Sequence, residues 1–186
     1  MISNQIVRTC NGCTLCCKVM EIDELAKPPQ QWCPNCAVGS GCKIYSSRPP
    51  SCAVFTCGYL SMPGLGEHWR PSKCKMVITL EDEGRMIVRT DAGHPSAWRA
   101  EPFYSELKYQ AQRLGSRFQI LVQSNGRTIA VVPDRDIDLG VVTKDHMIIT
   151  AELEGGRRWH VEKMMADDPR IAGHKINQWI DVKIDP

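Results

Sequence analysis

Nine cysteines fall between Cys10 and Cys57: Cys10, Cys13, Cys16, Cys17, Cys33, Cys36, Cys42, Cys52 and Cys57. Cys10-Asn11-Gly12-Cys13-Thr14-Leu15-Cys16-Cys17 reads C-x2-C-x2-C-C, and Cys33-Pro34-Asn35-Cys36 repeats the two-residue spacing. That spacing lets one tight turn aim two sulfurs at a single ion, and Gly12 permits the turn. All-thiolate sites suit Zn²⁺ and iron–sulfur clusters alike. The paired knuckles favour zinc, and nine thiols are enough for two four-thiolate sites; a multinuclear cluster with bridging thiolates fits the same count. The opening C-x2-C-x2-C matches the first three ligands of a bacterial ferredoxin run, and Cys33-Pro34 is a Cys-Pro step. In a ferredoxin, however, the Cys-Pro comes four positions after the third ligand, and here Cys17 follows at once. Adjacent side chains point apart on a helix or strand. Cys16 and Cys17 are therefore read as serving different ions, or as one ligand and one packing residue.

Cys74 stands apart from the cluster and reads as a small buried apolar residue. A redox reading of Cys33 and Cys36 lacks the βαβ surroundings of a thioredoxin-like site. His68, His94, His146, His160 and His174 are scattered without metal-ligand spacing, and His68 is the one nearest the cysteines. Asp134, Asp136 and Asp138 alternate but lack the glycine and distal glutamate of a calcium loop, so they read as a solvated loop. Gly64 and Gly66 form no dinucleotide fingerprint. Arg48 reads as a loop-fixing contact, and Tyr45 and Phe55 as padding for the cysteine loops.

Cys10 to Cys17, Cys33, Cys42-Lys43-Ile44-Tyr45, Arg48-Pro49-Pro50-Ser51-Cys52 and Cys57 together resemble the CxxCxxCC family of YkgJ-type cysteine-cluster proteins. The likeness covers about residues 8–60. It implies a zinc- or iron-chelating domain whose eight family cysteines are Cys10, Cys13, Cys16, Cys17, Cys33, Cys42, Cys52 and Cys57. Cys36 falls where many members carry an apolar residue. A flagellin lysine methylase is related to this family and other members are labelled iron–sulfur oxidoreductases. The resemblance thus implies metal binding first and, as the alternative, an iron–sulfur enzyme of methyl or electron transfer. Kinship of fold does not by itself assign a reaction.

The rest of the chain must position these thiols. The sequence has 186 residues and a net charge of +2, which demands neither nucleic acid nor an anionic membrane as partner. Residues 1–74 carry seven Lys+Arg against four Asp+Glu, and residues 75–186 carry 16 against 17. Two zinc ions on eight thiolates would turn the first balance slightly negative, so it indicates no basic surface. Low charge and few aromatics near the cysteines also argue against zinc knuckles on RNA or DNA. A protein or small-molecule partner remains open. No apolar run approaches the ~20 residues that span a bilayer. Met1 to Cys10 lacks a secretory h-region, so the expectation is a reducing cytoplasm, where clustered thiols bind metal.

The expected fold class is α+β: a small, loop-dominated cysteine module over residues 1–74, packed on a unit of antiparallel strands and helices over 75–186. Leu15, Val19, Ile22 and Leu25 predict a short helix out of the first cluster, ended by Lys27-Pro28-Pro29. Residues 58–71 read as a connecting loop. Met76–Leu80 and Met86–Arg89 predict a hairpin. Pro102 opens a helix along Phe103, Leu107, Ala111 and Leu114 that Gly115 stops. Phe118–Gln123 and Thr128–Val132 flank Asn125-Gly126, a tight-hairpin signal. Val141–Thr143 is paired with His146–Leu153, Arg158–Met164 reads as a strand or helix start, and Asp168-Pro169 opens a helix through Ile176, Trp179 and Ile180.

Overall fold

The chain is described by a computed structural model for residues 8–81 and 84–171. Its elements are mixed α and β, with short helices and one five-stranded sheet. Two compact units emerge, and the division is discontinuous in sequence. The first comprises the chain up to Thr79 with Val88–Ala100, and the second comprises Leu80–Ile87 with the chain from Glu101 onward.

In the first unit the elements are very short. Helix α1 spans Cys16–Val19, the strand pair β1 (Cys36–Ala37) and β2 (Gly41–Cys42) is antiparallel, and α2 (Pro50–Val54), α3 (Gly58–Ser61) and α4 (Pro71–Cys74) follow. Pro50 and Pro71 sit at the first helical positions of α2 and α4, where a missing N–H costs no hydrogen bond. The helix expected between Cys10 and Lys27 is one turn. Met20 is extended (ψ 146°), and Ile22 instead bridges back to Lys27 around a 3₁₀ turn at Asp23–Leu25. The stretch read as a loop, 58–71, contains α3 and a further 3₁₀ turn at Glu67–Trp69. Leu15, Val19 and Val77 form an apolar cluster with Phe55 packed on it, and Trp69, Met76, Ile78, Val88 and Trp98 are buried.

The sheet runs β3 (Met76–Glu81), β4 (Arg85–Thr90), β5 (Gln119–Ser124), β6 (Arg127–Val131) and β7 (Asp136–Gly140) in that order. Between β4 and β5 the chain forms helix α5 (Phe103–Leu114), which buries Leu107 and Ala111. Pro102 precedes the helix as its N-cap, and Gly115 ends it with φ +61°. The β5–β6 turn has positive φ at both Asn125 and Gly126, the geometry whose twist matches a two-residue hairpin.

Three expectations in this region are corrected. Val141–Thr143 is not a strand: Gly140 turns the chain at φ +69°, and Thr143 donates its N–H to His146 Nδ1 (3.2 Å) in a turn. Strand β8 (His146–Leu153) pairs with β9 (Arg158–Met165), from His146 opposite Met165 to Leu153 opposite Arg158. Glu154, Gly155 and Gly156, all at positive φ, reverse the chain between them. The aspartates read as a loop instead lead into edge strand β7. They are engaged separately: Asp134 with Arg135 (2.6 Å), Asp136 with Lys108 (2.8 Å) and Asp138 with Arg127 (2.9 Å). Each carboxylate thus has its own cation in place of a shared hard ion. Leu121, Ala130, Val132, Leu139, Ile148, Trp159 and Val161 make this unit's core. Pro169–Ile171 is a 3₁₀ turn; the rest of the expected C-terminal helix, with Ile176, Trp179 and Ile180, lies outside the described residues, as does His174. No helix among the described residues is long and apolar enough to cross a membrane.

Candidate metal centre

The first knuckle is a tight turn. Cys13 N donates to Cys10 O (2.8 Å) across Asn11 and Gly12, whose φ values are +45° and +75°. Gly12 serves a second purpose: a Cβ there would lie 2.5 Å from Gly39 O, in the turn between β1 and β2. Gly39 N donates in return to Thr14 Oγ1 (3.1 Å). The Cys33-x2-Cys36 knuckle repeats the turn, Cys36 N donating to Cys33 O (3.0 Å), and Cys33 N reaches back to Cys17 O (3.0 Å). Cys36 lies directly opposite Cys42 across the β1–β2 pair.

Polar side chains fix the remaining cysteine segments. The Glu24 carboxylate accepts from Ser51 N (2.9 Å) and Ser51 Oγ (2.7 Å), anchoring the start of the helix that carries Cys52. Cys57 is buried at the N-cap of α3. Arg8 donates to the carbonyls of Tyr59 (2.8 Å) and Met62 (3.0 Å), and stacks on the Tyr59 ring. Arg70 donates to the carbonyls of Cys10 and Asn11, both at 2.9 Å.

The thiols act on one another electrostatically as one connected set: Cys16 raises Cys17, Cys17 raises Cys10, Cys36 and Cys52, Cys33 raises Cys36 and Cys52, and Cys13 and Cys10 raise Cys57. Cys16 and Cys17 are the first two residues of α1.

Neighbouring thiols and burial push five of these groups, Cys10, Cys17, Cys36, Cys52 and Cys57, above the ordinary thiol range. The Cys16 thiol, then burial, push Cys17 far above the ordinary thiol range. Burial, then Cys17, push Cys36 up to about 11. Cys10, Cys52 and Cys57 are also raised, chiefly by burial, with Arg70 opposing the shift at Cys10. An ion entering here displaces protons as it binds. Cys74 is buried, donates to Trp69 O (3.3 Å) and Met76 O (3.4 Å), and is raised by burial to about 12.

As a donor set these thiols have the softness that zinc or iron–sulfur chemistry asks for. Among the described residues, however, no group of three or more His, Cys, Asp or Glu side chains is disposed to hold an ion. Tyr45 does not pad the loops; it is exposed, with the Arg48 guanidinium 4.2 Å above its ring. His146 bonds Thr143, and His160 lies 3.4 Å from Glu162.

The residue that sequence reading passed over is Lys27, taken there as part of a helix stop. Its ammonium is buried, donating to Lys18 O (2.7 Å) and to Met20 O. Burial lowers its pKa against the opposing pull of Cys33, Cys17, Cys16 and Cys52. The signal available in the sequence was a lone lysine inside a thiol-rich stretch. No family model, curated protein or solved structure matches the chain.

Proposed function

We propose that this is a cysteine-cluster metal-binding protein of a reducing compartment, holding zinc, two ions per chain, in a mainly structural role. The observation that carries the reading is the concentration of nine thiols between Cys10 and Cys57, with the two knuckle turns at Cys10–Cys13 and Cys33–Cys36 formed. The resemblance to the CxxCxxCC family supports it. Cys10, Cys13, Cys16, Cys17, Cys33, Cys36, Cys42, Cys52 and Cys57 would be the donors, and binding would draw the thiols together. A structural zinc ion fixes loops that cannot bury enough apolar surface to fix themselves.

The ferredoxin-like opening favours an iron–sulfur enzyme as the second reading. Metal and sulfide analysis of protein purified with and without oxygen separates the two. The zinc reading expects a colourless protein with about two zinc ions, the count that two four-thiolate sites require. Brown anaerobic protein with iron and sulfide would replace it with the second reading. A metal-free, fully folded chain would overturn both.

A further inference from the structure

The β1–β2 pair sets Cys36 directly opposite Cys42. Lys43 N donates to Asn35 O (2.8 Å), and these residues lie just outside the pair, so Cys36 and Cys42 face each other without exchanging backbone hydrogen bonds. Opposed residues of that kind have Cα atoms about 4.5 Å apart and side chains on one face of the ladder. A disulfide asks for Cα atoms about 4.4–6.8 Å apart, so the backbone already stands where a Cys36–Cys42 bond needs it. The loop between the strands pins this register. Ser40 N donates to Ala37 O (2.8 Å), and the Thr14 hydroxyl accepts from Gly39 N (3.1 Å). Both thiols are half-buried and open to a small reagent, whereas Cys33, the knuckle partner of Cys36, is 7% exposed.

We infer that Cys36 and Cys42 are a reversible disulfide site, closed by exchange with a low-molecular-weight disulfide, and that closing it removes one metal ion from the chain. One protein thiolate attacks the small disulfide, breaks its S–S bond and releases one small thiol, leaving a mixed disulfide. The second protein thiol displaces the other small thiol and forms the Cys36–Cys42 bond. The two electrons lost by the protein sulfurs reduce the small disulfide, and the two protons leave on the two small thiols. In a reducing compartment such a bond is transient and reports oxidation. Its effect on metal follows from the donor count. Nine thiols fall between Cys10 and Cys57, and two four-thiolate sites take eight. Closing the Cys36–Cys42 bond withdraws two of the nine and leaves seven, one short. The loss of an ion rests on the metal-binding reading; the disulfide itself does not.

The test uses the full chain, reduced, in metal-free and zinc-loaded portions. Each is treated with oxidised glutathione, sampled as the first intramolecular disulfide forms and alkylated, and the bond is mapped by mass spectrometry without reduction. A chromogenic indicator follows released zinc. In both portions the first bond is Cys36–Cys42, and dithiothreitol reverses it. In the loaded portion its formation releases about one zinc ion per chain, the ion that the remaining donors no longer hold. Cys36→Ser, which keeps the eight thiols of the family pattern, retains its zinc under the same treatment because Cys42 has lost its partner. A first bond at Cys33–Cys36, Cys10–Cys13 or Cys16–Cys17 in the wild type, or no intramolecular bond at all, overturns the inference whether or not the variant folds. With zinc bound, that result leaves the metal-binding reading standing. A Cys36–Cys42 bond formed with all zinc retained overturns the coupling to metal. A wild type that takes up no zinc yet closes Cys36–Cys42 removes the metal-binding reading and leaves the disulfide site standing.

Discussion

Two stretches of nearly equal length hold themselves together by different means. Among the described residues between Cys10 and Cys57, the buried apolar side chains are Leu15, Val19, Ile22, Cys33 and Cys57. Between Gln119 and Met165 there are twelve, from Ile120 to Met164. At roughly 1.5–3 kcal/mol for each fully buried large side chain, the second stretch has a driving force that the first lacks. Register reinforces it, since β5 pairs with β6 and β8 with β9 residue by residue against fixed partners. The cysteine stretch relies on side chains that capture backbone: Lys27 on Lys18 and Met20, Arg70 on Cys10 and Asn11, Glu24 on Ser51. Such contacts orient loops but contribute about 1 kcal/mol each, net of water. Metal is the agent that would make up the difference.

The largest break in this comparison comes from removing that agent. In zinc-loaded protein, a strong chelator accelerates amide exchange at Cys17, Cys33 and Cys36 by on the order of 100-fold or more, because metal affinity in such loops is folding free energy. Amides of β5, β6, β8 and β9 keep their protection. Equal loss in both stretches, followed by exchange mass spectrometry, would show that they do not depend on different forces. The converse break is Trp159→Ala. Trp159 is 4% exposed in the cluster of Leu121, Ile148 and Val161. Its truncation costs about 3–5 kcal/mol in denaturant unfolding, with zinc stoichiometry unchanged.

Legibility in the sequence followed the same divide. The β5–β6 hairpin, helix α5 and the β3–β4 strands stand close to where periodicity and turn residues put them, because Asn125-Gly126, Gly115 and runs of β-prone apolar residues act locally. The β7–β9 region was misread because Val141–Thr143 has strand-like residues but a turn partner, His146, and only the later run Arg158–Met165 offers β8 a full-length register. In the cysteine stretch, spacing located the knuckles, since a two-residue turn is a local event. It did not show that Lys27 is buried with its ammonium on the Lys18 and Met20 carbonyls. That fact depends on chain segments that meet without any periodic pattern.

A matched pair of glycines sharpens the contrast at smaller scale. Gly12 and Gly126 have nearly the same backbone, φ +75° and +74°. An added Cβ at Gly126 meets nothing within 4 Å, whereas at Gly12 it meets Gly39 O at 2.5 Å. Gly126→Ala therefore carries only the left-handed penalty of about 1–2 kcal/mol. Gly12→Ala carries that and a backbone clash, and the knuckle must open from the β1–β2 turn. Denaturant titration gives the common part. Exchange at Gly39 N, which bonds Thr14, reports the extra part, and an unperturbed Gly39 amide in Gly12→Ala would refute it.

The smallest effect expected is electrostatic and tests how far ion pairing substitutes for apolar burial in the first unit. Lys18, the residue after Cys17, donates to both carboxylate oxygens of Asp91 (2.8 and 3.0 Å), and Gly93 N donates to Oδ1 (2.8 Å). Burial pushes the Asp91 pKa up, but Lys18 and the Gly93 amide together outweigh it, and the net shift is downward. A carboxylate with a folded pKa below its unfolded value of about 3.9 contributes stability that is fully present above that value. The contribution is lost as pH falls through the folded pKa. Metal-free Asp91→Asn should thus be less stable than wild type at neutral pH by on the order of 1 kcal/mol, since the pair is only partly buried. The two stability curves should converge below about pH 4, where wild-type Asp91 takes up its proton. A gap that persists unchanged into acid would mean that Asp91 acts through packing, and that the segment after Cys17 is held by shape instead of by charge.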